Sequence, residues 1–539
     1  MLLVASGAGA ALALACYDFD ASRARCEAPG GACVEPPVIT VDPNCTPTGP
    51  DVPDDEFVDS DCDGVDGVAD AGLFVDPVGG DDLAAGTPEA PMRTLAAALQ
   101  RAQGAGKGVL YLGAGAFNEG ELALAQPVAL YGSYAGRAGH WVRAGSNVSH
   151  LDGGATALTV RDVDGGVTLD HLLLSSANAQ LPGQPSIALR VLRAGAVTVH
   201  QSELSAGAGA AGATGARGAD GPPGGAGADG GSATGSNFGG PGTGARFGCG
   251  LDAPSGGGGG LGGSQAPGSR GSQGRLASGN QVTPGGDGGT TGSVNCLILS
   301  PKCDCTGNPG GLGASGAPGT PGAAAPGGSG LGELTSDTWL ASNAPLGDPG
   351  GPGAGGGGGG GGGSCDISPA VAAAGGTGGG GGAGGCGGAG GNGGQGGGAS
   401  IALLVLDSHV TLESATLRTS TGGAGGAGGL GGDGGTPGPG GFGGAGGHID
   451  DAPNSDNNRS YTTTGGAGGV GGRGGQGGVG GPGGGGAGGP SVGAWCNAGA
   501  SLTTRGKSVV QRGAGGAGGA GPGNPGDAGV SVDAVGCSL

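Results

Sequence analysis

Acidic residues crowd one short stretch of the chain with a spacing that suits a hard cation. In Asp59-Ser60-Asp61-Cys62-Asp63-Gly64-Val65-Asp66-Gly67-Val68-Ala69-Asp70, carboxylates fall at loop positions 1, 3, 5 and 12, with glycine at 6. Oxygen ligands close on calcium in that order, the Gly64 turn allows it, and the Val65 carbonyl supplies position 7. Asp66 puts a further carboxylate where such loops carry a hydrophobic residue. The expected ligand set is therefore Asp59, Asp61, Asp63, Val65, Asp66 and Asp70. The ion would be structural; the bland alternative is a solvated acidic linker. The entering segment is acidic and Pro-containing rather than helical.

Cysteine is the second reactive group. Residues 2–15 are apolar or small, too short to span a bilayer and of h-region length, and they end at Ala15-Cys16. This resembles a bacterial lipoprotein signal, although Ala13 stands where leucine is usual and the first basic residue is Arg23. The resemblance implies cleavage before Cys16, acylation of Cys16, export, and a lipid anchor in the bacterial outer membrane or at the cell surface. A plain secretory signal is the alternative. The chain has 13 cysteines, so the remaining twelve form an even set able to make disulfides in an oxidising compartment. Their pairing is open, and Cys303-Asp304-Cys305 admits zinc as a rival.

A third set of chemical groups emerges only when repeats are aligned. Ala157-Leu158-Thr159-Val160 recurs as Ala188-Leu189-Arg190-Val191 and Ala402-Leu403-Leu404-Val405. Each is followed by a turn and then by Val167-Thr168-Leu169…Leu174, Val197-Thr198-Val199…Leu204 or Val410-Thr411-Leu412…Leu417, with a weaker copy at Leu502-Thr503-Thr504…Val509. Period-two alternation turns Val and Leu inward and Thr outward. Stacked copies, about 4.8 Å apart, would build a core that no single copy can bury. The next outward position reads Asp170, His200, Glu413 and Arg505. Such a column could serve proton transfer on a glycan, or be a ladder of surface charges; the ladder is favoured.

Upstream, Phe74-Val75-Asp76-Pro77…Gly86-Thr87-Pro88…Pro91-Met92-Arg93-Thr94-Leu95 leads into a helical face of Leu95, Ala98, Leu99 and Ala102. This is similar to the N-terminal cap of right-handed parallel β-helix proteins of the pectate-lyase-like class, and the resemblance covers about 74–176. Strand-like runs follow at 109–112, 122–124 and 128–131.

Composition bounds the rest. Glycine makes up 151 of 539 residues, about four times ordinary usage, with 12% charged and 3% aromatic residues. That composition argues against a multi-domain globular enzyme. A net charge of -21 argues against nucleic-acid partners. The glycine lies in excursions that leave after one repeat strand and return before another, so they must project from one side of the solenoid. Segments 422–448, 465–489 and 375–398 repeat Gly-Gly-x, a period matching the three-residue polyproline-II type of helix. They resemble the bundled polyglycine-II helices of Gly-rich bacterial surface proteins such as the PGRS class. The alternatives are a flexible, disordered linker and, for the strict Gly-x-y run 209–230, collagen-like assembly.

The expected organisation is a signal peptide 1–15, an acidic Pro- and Cys-containing linker 16–58, the loop 59–70, and a cap with first rungs 74–206. A Gly-rich insertion 207–398, a rung 399–420, a Gly-rich hairpin 421–489, and last rungs 490–539 with a short Gly-rich insertion complete it. The fold expected is an all-β, right-handed parallel β-helix. The function expected is a non-enzymatic structural or adhesive lipoprotein, its partners the membrane through its anchor and surface glycans or other cells. A glycan-binding or polysaccharide-cleaving β-helix is the second class, and aromatic sugar platforms would distinguish it: the chain has only Trp141, Trp339 and Trp495.

Overall fold

A computed structural model describes residues 39, 41–42, 44–250, 253–276, 282–298, 300–368, 370–454 and 458–539. The chain is mostly β, with many parallel strands in open sheets and, among the described residues, one α-helix. It divides into two units, 1–115 with 132–148, and 116–131 with 149–539.

In the first unit, strands Gly72–Val75 and Val109–Gly113 run parallel, Leu73 opposite Leu110 and Val75 opposite Leu112. The helix Leu95–Ala105 joins them. The Thr94 hydroxyl accepts from the Ala97 N–H at its start, and Gly106 ends it at φ 67°, a left-handed cap that glycine adopts without strain. Leu95, Ala98 and Ala102 form its buried face, as the sequence spacing predicts. Beside it, Phe74 packs on Tyr111 and Trp141 at centroid distances of 4.9 and 4.7 Å.

In the second unit the sequence repeats pair side by side. Thr156–Asp170, Ser186–His200, Ser400–Leu406, Ser491–Cys496 and Ser531–Val535 are successive parallel neighbours. Leu158 meets Leu189, and Leu189 meets Leu403. Val167, Val197, Val410 and Leu502 align likewise. A second parallel sheet holds Ser149–Gly153, Leu172–Ser176, Glu203–Ser205, Thr416–Arg418 and Val509–Gln511. Corner residues stack with left-handed backbone: Asp162, Arg193 and Asp407 at one bend, His171, Gln201, Ser414 and Gly506 at the next.

One expected register slips. Leu417 pairs with Val510, not Val509, because the turn after Arg505, through Gly506 at φ 65°, is one residue longer than its counterparts.

The glycine-rich excursions are hydrogen-bonded to one another at every third residue. The N–H groups of Gly489, Gly486, Gly483, Gly480 and Gly477 donate to the carbonyls of Gly423, Gly426, Gly429, Gly432 and Gly435, an antiparallel ladder between the outgoing and returning arms. Gly212, Gly215 and Gly218 donate to Ala424, Ala427 and Leu430, so the Gly-x-y run 209–230 pairs within its own chain, alongside 421–445. Arms meet a small sheet of Val294–Cys296, Lys302–Thr306, Arg459–Thr464 and His448–Asn454. A hairpin of Glu333–Leu334 and Trp339–Leu340 folds back so that Trp339 packs in a core with Ile187, Ile401, Leu404 and Trp495.

A β-carbon on Gly425 would fall on the Gly486 carbonyl, and one on Gly426 on the Ala213 carbonyl. Valine at either position should therefore force the arms apart at a cost of about 1–3 kcal/mol. Hydrogen exchange should show protection lost across 389–398, 422–432 and 480–489, whereas Ala427→Ser, in the outward row, should leave it unchanged. Arms that exchange at random-coil rates in the unaltered protein would disprove the bundle.

Candidate metal centre

The acidic loop is closed by its own peptide groups. Asp59 accepts from the N–H groups of Asp63 (3.2 Å) and Gly64 (2.8 Å), and Asp61 shares the Asp63 N–H at 3.1 Å. Asp63 accepts from Val65 (3.0 Å) and Ala69 (2.7 Å). These bonds need a sharp bend, which Gly64 provides at φ 94°. Val65 is buried beneath the turn. A disulfide between Cys45 and Cys62 ties the preceding segment to the loop, and the Thr48 N–H donates to the Ser60 carbonyl at 2.9 Å.

That fold-back brings Asp51 into the cluster. Asp51, Asp59 and Asp61 offer carboxylate oxygens that all lie within 4.8 Å of one another. Asp63, Asp66 and Asp70, chosen by spacing, are not in this group. Asp70 is exposed, and its carbonyl accepts from Lys107 Nζ at 2.9 Å. Asp66 turns to Arg143, 2.9 Å away, both side chains almost wholly buried. Spacing reasoning missed Asp51 because it precedes the loop and arrives through a cross-link.

Arg143 is held in turn by the carbonyls of Gly132 and Asp54, at 3.0 and 3.1 Å, and lies against the Phe57 and Tyr134 rings. Burial pushes the Asp66 carboxyl up to about 6 despite the guanidinium, which pulls it down. Burial also raises Asp51 and Asp63, with the charges of Asp61 and Asp59 adding to it.

The outward column expected on the repeats is present in register: Asp170 opposite His200, His200 opposite Glu413, Glu413 opposite Arg505. Its members pair, His200 Nδ1 with Asp170 at 2.6 Å and Arg505 with Glu413 at 3.1 Å. His171, which the alignment passed over as a turn residue, directs its Nδ1 at the same Asp170 at 2.7 Å. Similar pairs link Glu121 to Arg190 and Asp162 to Arg193. The arrangement is a ladder of hydrogen-bonded and ion pairs between successive strands.

Among the described residues, five disulfides join Cys45–Cys62, Cys249–Cys386, Cys296–Cys303, Cys305–Cys365 and Cys496–Cys537. The zinc alternative at Cys303 and Cys305 is overturned, because both sulfurs are spent in bridges. Trp141, Trp339 and Trp495 are 1%, 1% and 4% exposed, so none forms a sugar platform. Cys16 lies outside the described residues.

Removing one partner of a buried ion pair leaves the other charge uncompensated, typically at a cost of about 3–5 kcal/mol. Arg143→Met should destabilise the first unit by that amount at pH 7. Asp66 holds its proton in the folded state up to about pH 6, above its unfolded value, so stability from this group falls as pH rises through that window. Without Arg143 the window moves higher. Denaturant unfolding should therefore show a smaller loss at pH 5 than at pH 7, and equal losses would contradict this account.

No family model and no curated protein matches the chain. Among solved structures, the chain is similar to a GH136 lacto-N-biosidase from Eubacterium ramulus at 12% identity and a TM-score of 0.19, over 25% of this chain and 27% of that one. The chain thus spans about a quarter of that protein, a likeness too slight to carry an argument.

Proposed function

We propose that this chain is a non-enzymatic, lipid-anchored surface protein: a right-handed parallel β-helix that displays a bundle of polyglycine-II helices as a spacer or contact layer. The observation that carries this reading is the arm-to-arm ladder from 423 to 447 against 465 to 489, which gives the glycine-rich excursions a fixed structure instead of a linker's freedom. Three-residue periodicity in the bonding supports polyglycine-II and its likeness to PGRS-type repeats. The two stacks of parallel strands, with stacked left-handed corners, support the β-helix. Rows of exposed residues such as Leu430, Phe442, Val470 and Val479 give the arms a contact face. The glycan reading is weaker, since the three tryptophans are buried and the charged column is paired within itself.

Export and anchoring rest on the Ala15-Cys16 junction. Cys16→Ser should block signal processing and move the protein from the membrane fraction to the soluble one. A mutant that fractionates like the unaltered protein would refute the anchor. Release of reducing ends from acidic or neutral polysaccharides by the purified protein would refute the non-enzymatic reading.

A further inference from the structure

We propose that Asp51, Asp59 and Asp61 together bind one hard divalent cation, with calcium as the fitting ion. The set differs from the one that loop spacing suggests, and it draws its ligands from two separate stretches of chain.

Two independent observations meet here. The first is convergence: three carboxylate oxygens, one from residue 51 and two from the loop, stand within 4.8 Å of one another. The second is a vacant bonding position. Asp51 is only 4% exposed, its Oδ2 accepts from the Gly67 N–H at 2.7 Å, and its Oδ1 has no hydrogen-bond partner among the described residues. The Ser60 amide also favours the charged form of this carboxylate. Native proteins leave few buried polar atoms in that state, because an unmet acceptor forfeits its hydration for nothing. A cation met by this oxygen, and by those of Asp59 and Asp61, resolves both the unmet acceptor and the crowding of three acidic groups.

The surroundings fix the ligands in place. Gly67 holds one oxygen of Asp51, so the other has a set direction. Asp59 and Asp61 are oriented by the shared Asp63 N–H. Asp63 is committed to the amides of Val65 and Ala69, and Asp66 to Arg143. All-oxygen ligands exclude soft metals, and an irregular loop suits calcium better than magnesium, which requires near-ideal octahedral geometry. The ion would cross-link 45–51 to 59–61 at the place where Cys45–Cys62 already does so covalently.

Calorimetric titration of the full-length, disulfide-intact protein with calcium chloride tests this. One site is expected, with Kd on the order of 10⁻⁴–10⁻³ M, the range of extracellular modules. Terbium luminescence gives a second readout, since Tyr111 and Tyr134 donate their hydroxyls to the Val68 and Asp66 carbonyls of the same loop and can sensitise it. Asp51→Asn and Asp61→Asn should each weaken binding about tenfold or more, and Asp70→Asn less than about twofold. If Asp51→Asn fails to fold, Asp61→Asn decides, because that carboxylate makes a single bond to a backbone amide. Absence of a saturable calcium signal overturns the proposal. So does an Asp70→Asn loss equal to that of Asp61→Asn, which would restore the spacing-based ligand set.

Discussion

Where two arms of the bundle meet, the carbonyl oxygen of one occupies the place a β-carbon would take on the other. Everything about the glycine follows from that exclusion. The arm 209–230 pairs mainly with two neighbours, 421–445 and 380–398, and keeps one glycine in three. Arms 422–447 and 465–489 touch four and five neighbours and keep two in three. The nine consecutive glycines 355–363 donate to three segments (269–275, 308–314 and 376–382) and accept from three more (257–263, 286–289 and 466–472). Glycine content along the chain is thus a count of neighbours. It also explains why the arms order at all: fixing a residue costs about 1–2 kcal/mol, against about 0.5–1.5 kcal/mol returned per hydrogen bond. Only an arm that uses both its N–H and its C=O groups approaches balance.

The rest of the second unit serves this exclusion by delivering arms side by side. Because the excursions depart after Glu203–Ser205, Thr416–Arg418 and Val509–Gln511, which are neighbours in one sheet, the arms begin already adjacent. Ion pairs such as Arg418 with Glu203, at 2.8 Å, sit at that departure line. Exposed pairs contribute little stability, yet like charges at those positions would oppose the same register.

Local pattern was legible in the sequence, and proximity created by cross-links was not. The repeats of Val and Leu gave the strand register because inward positions must match across parallel neighbours; the slip at Val510 escaped because turn length carries no such period. Ser400–Leu406 is buried at every position, and its unbroken apolar run, Ile401 to Leu406, signals cover on both faces. What supplies that cover, the hairpin bearing Trp339, lies within a glycine-rich stretch with no periodic signal of its own. Asp51 and His171 were invisible for the same reason. One reaches the acidic loop through the Cys45–Cys62 bridge, and the other is a bend residue whose side chain counts only once Asp170 is seen to take two imidazoles.

The antiparallel ladder between 423–447 and 465–489 has a mechanical meaning. Its arms are also bonded crosswise to 212–230 and 376–397, so a pull on its outer end loads those bonds together in shear instead of opening them one by one. The Cys249–Cys386 bridge pins two more segments of the same lattice across 137 residues of sequence. Such an arm resists extension like a stiff rod and gives way only when many weak bonds fail at once, a brittle response very different from the entropic elasticity of a free glycine chain.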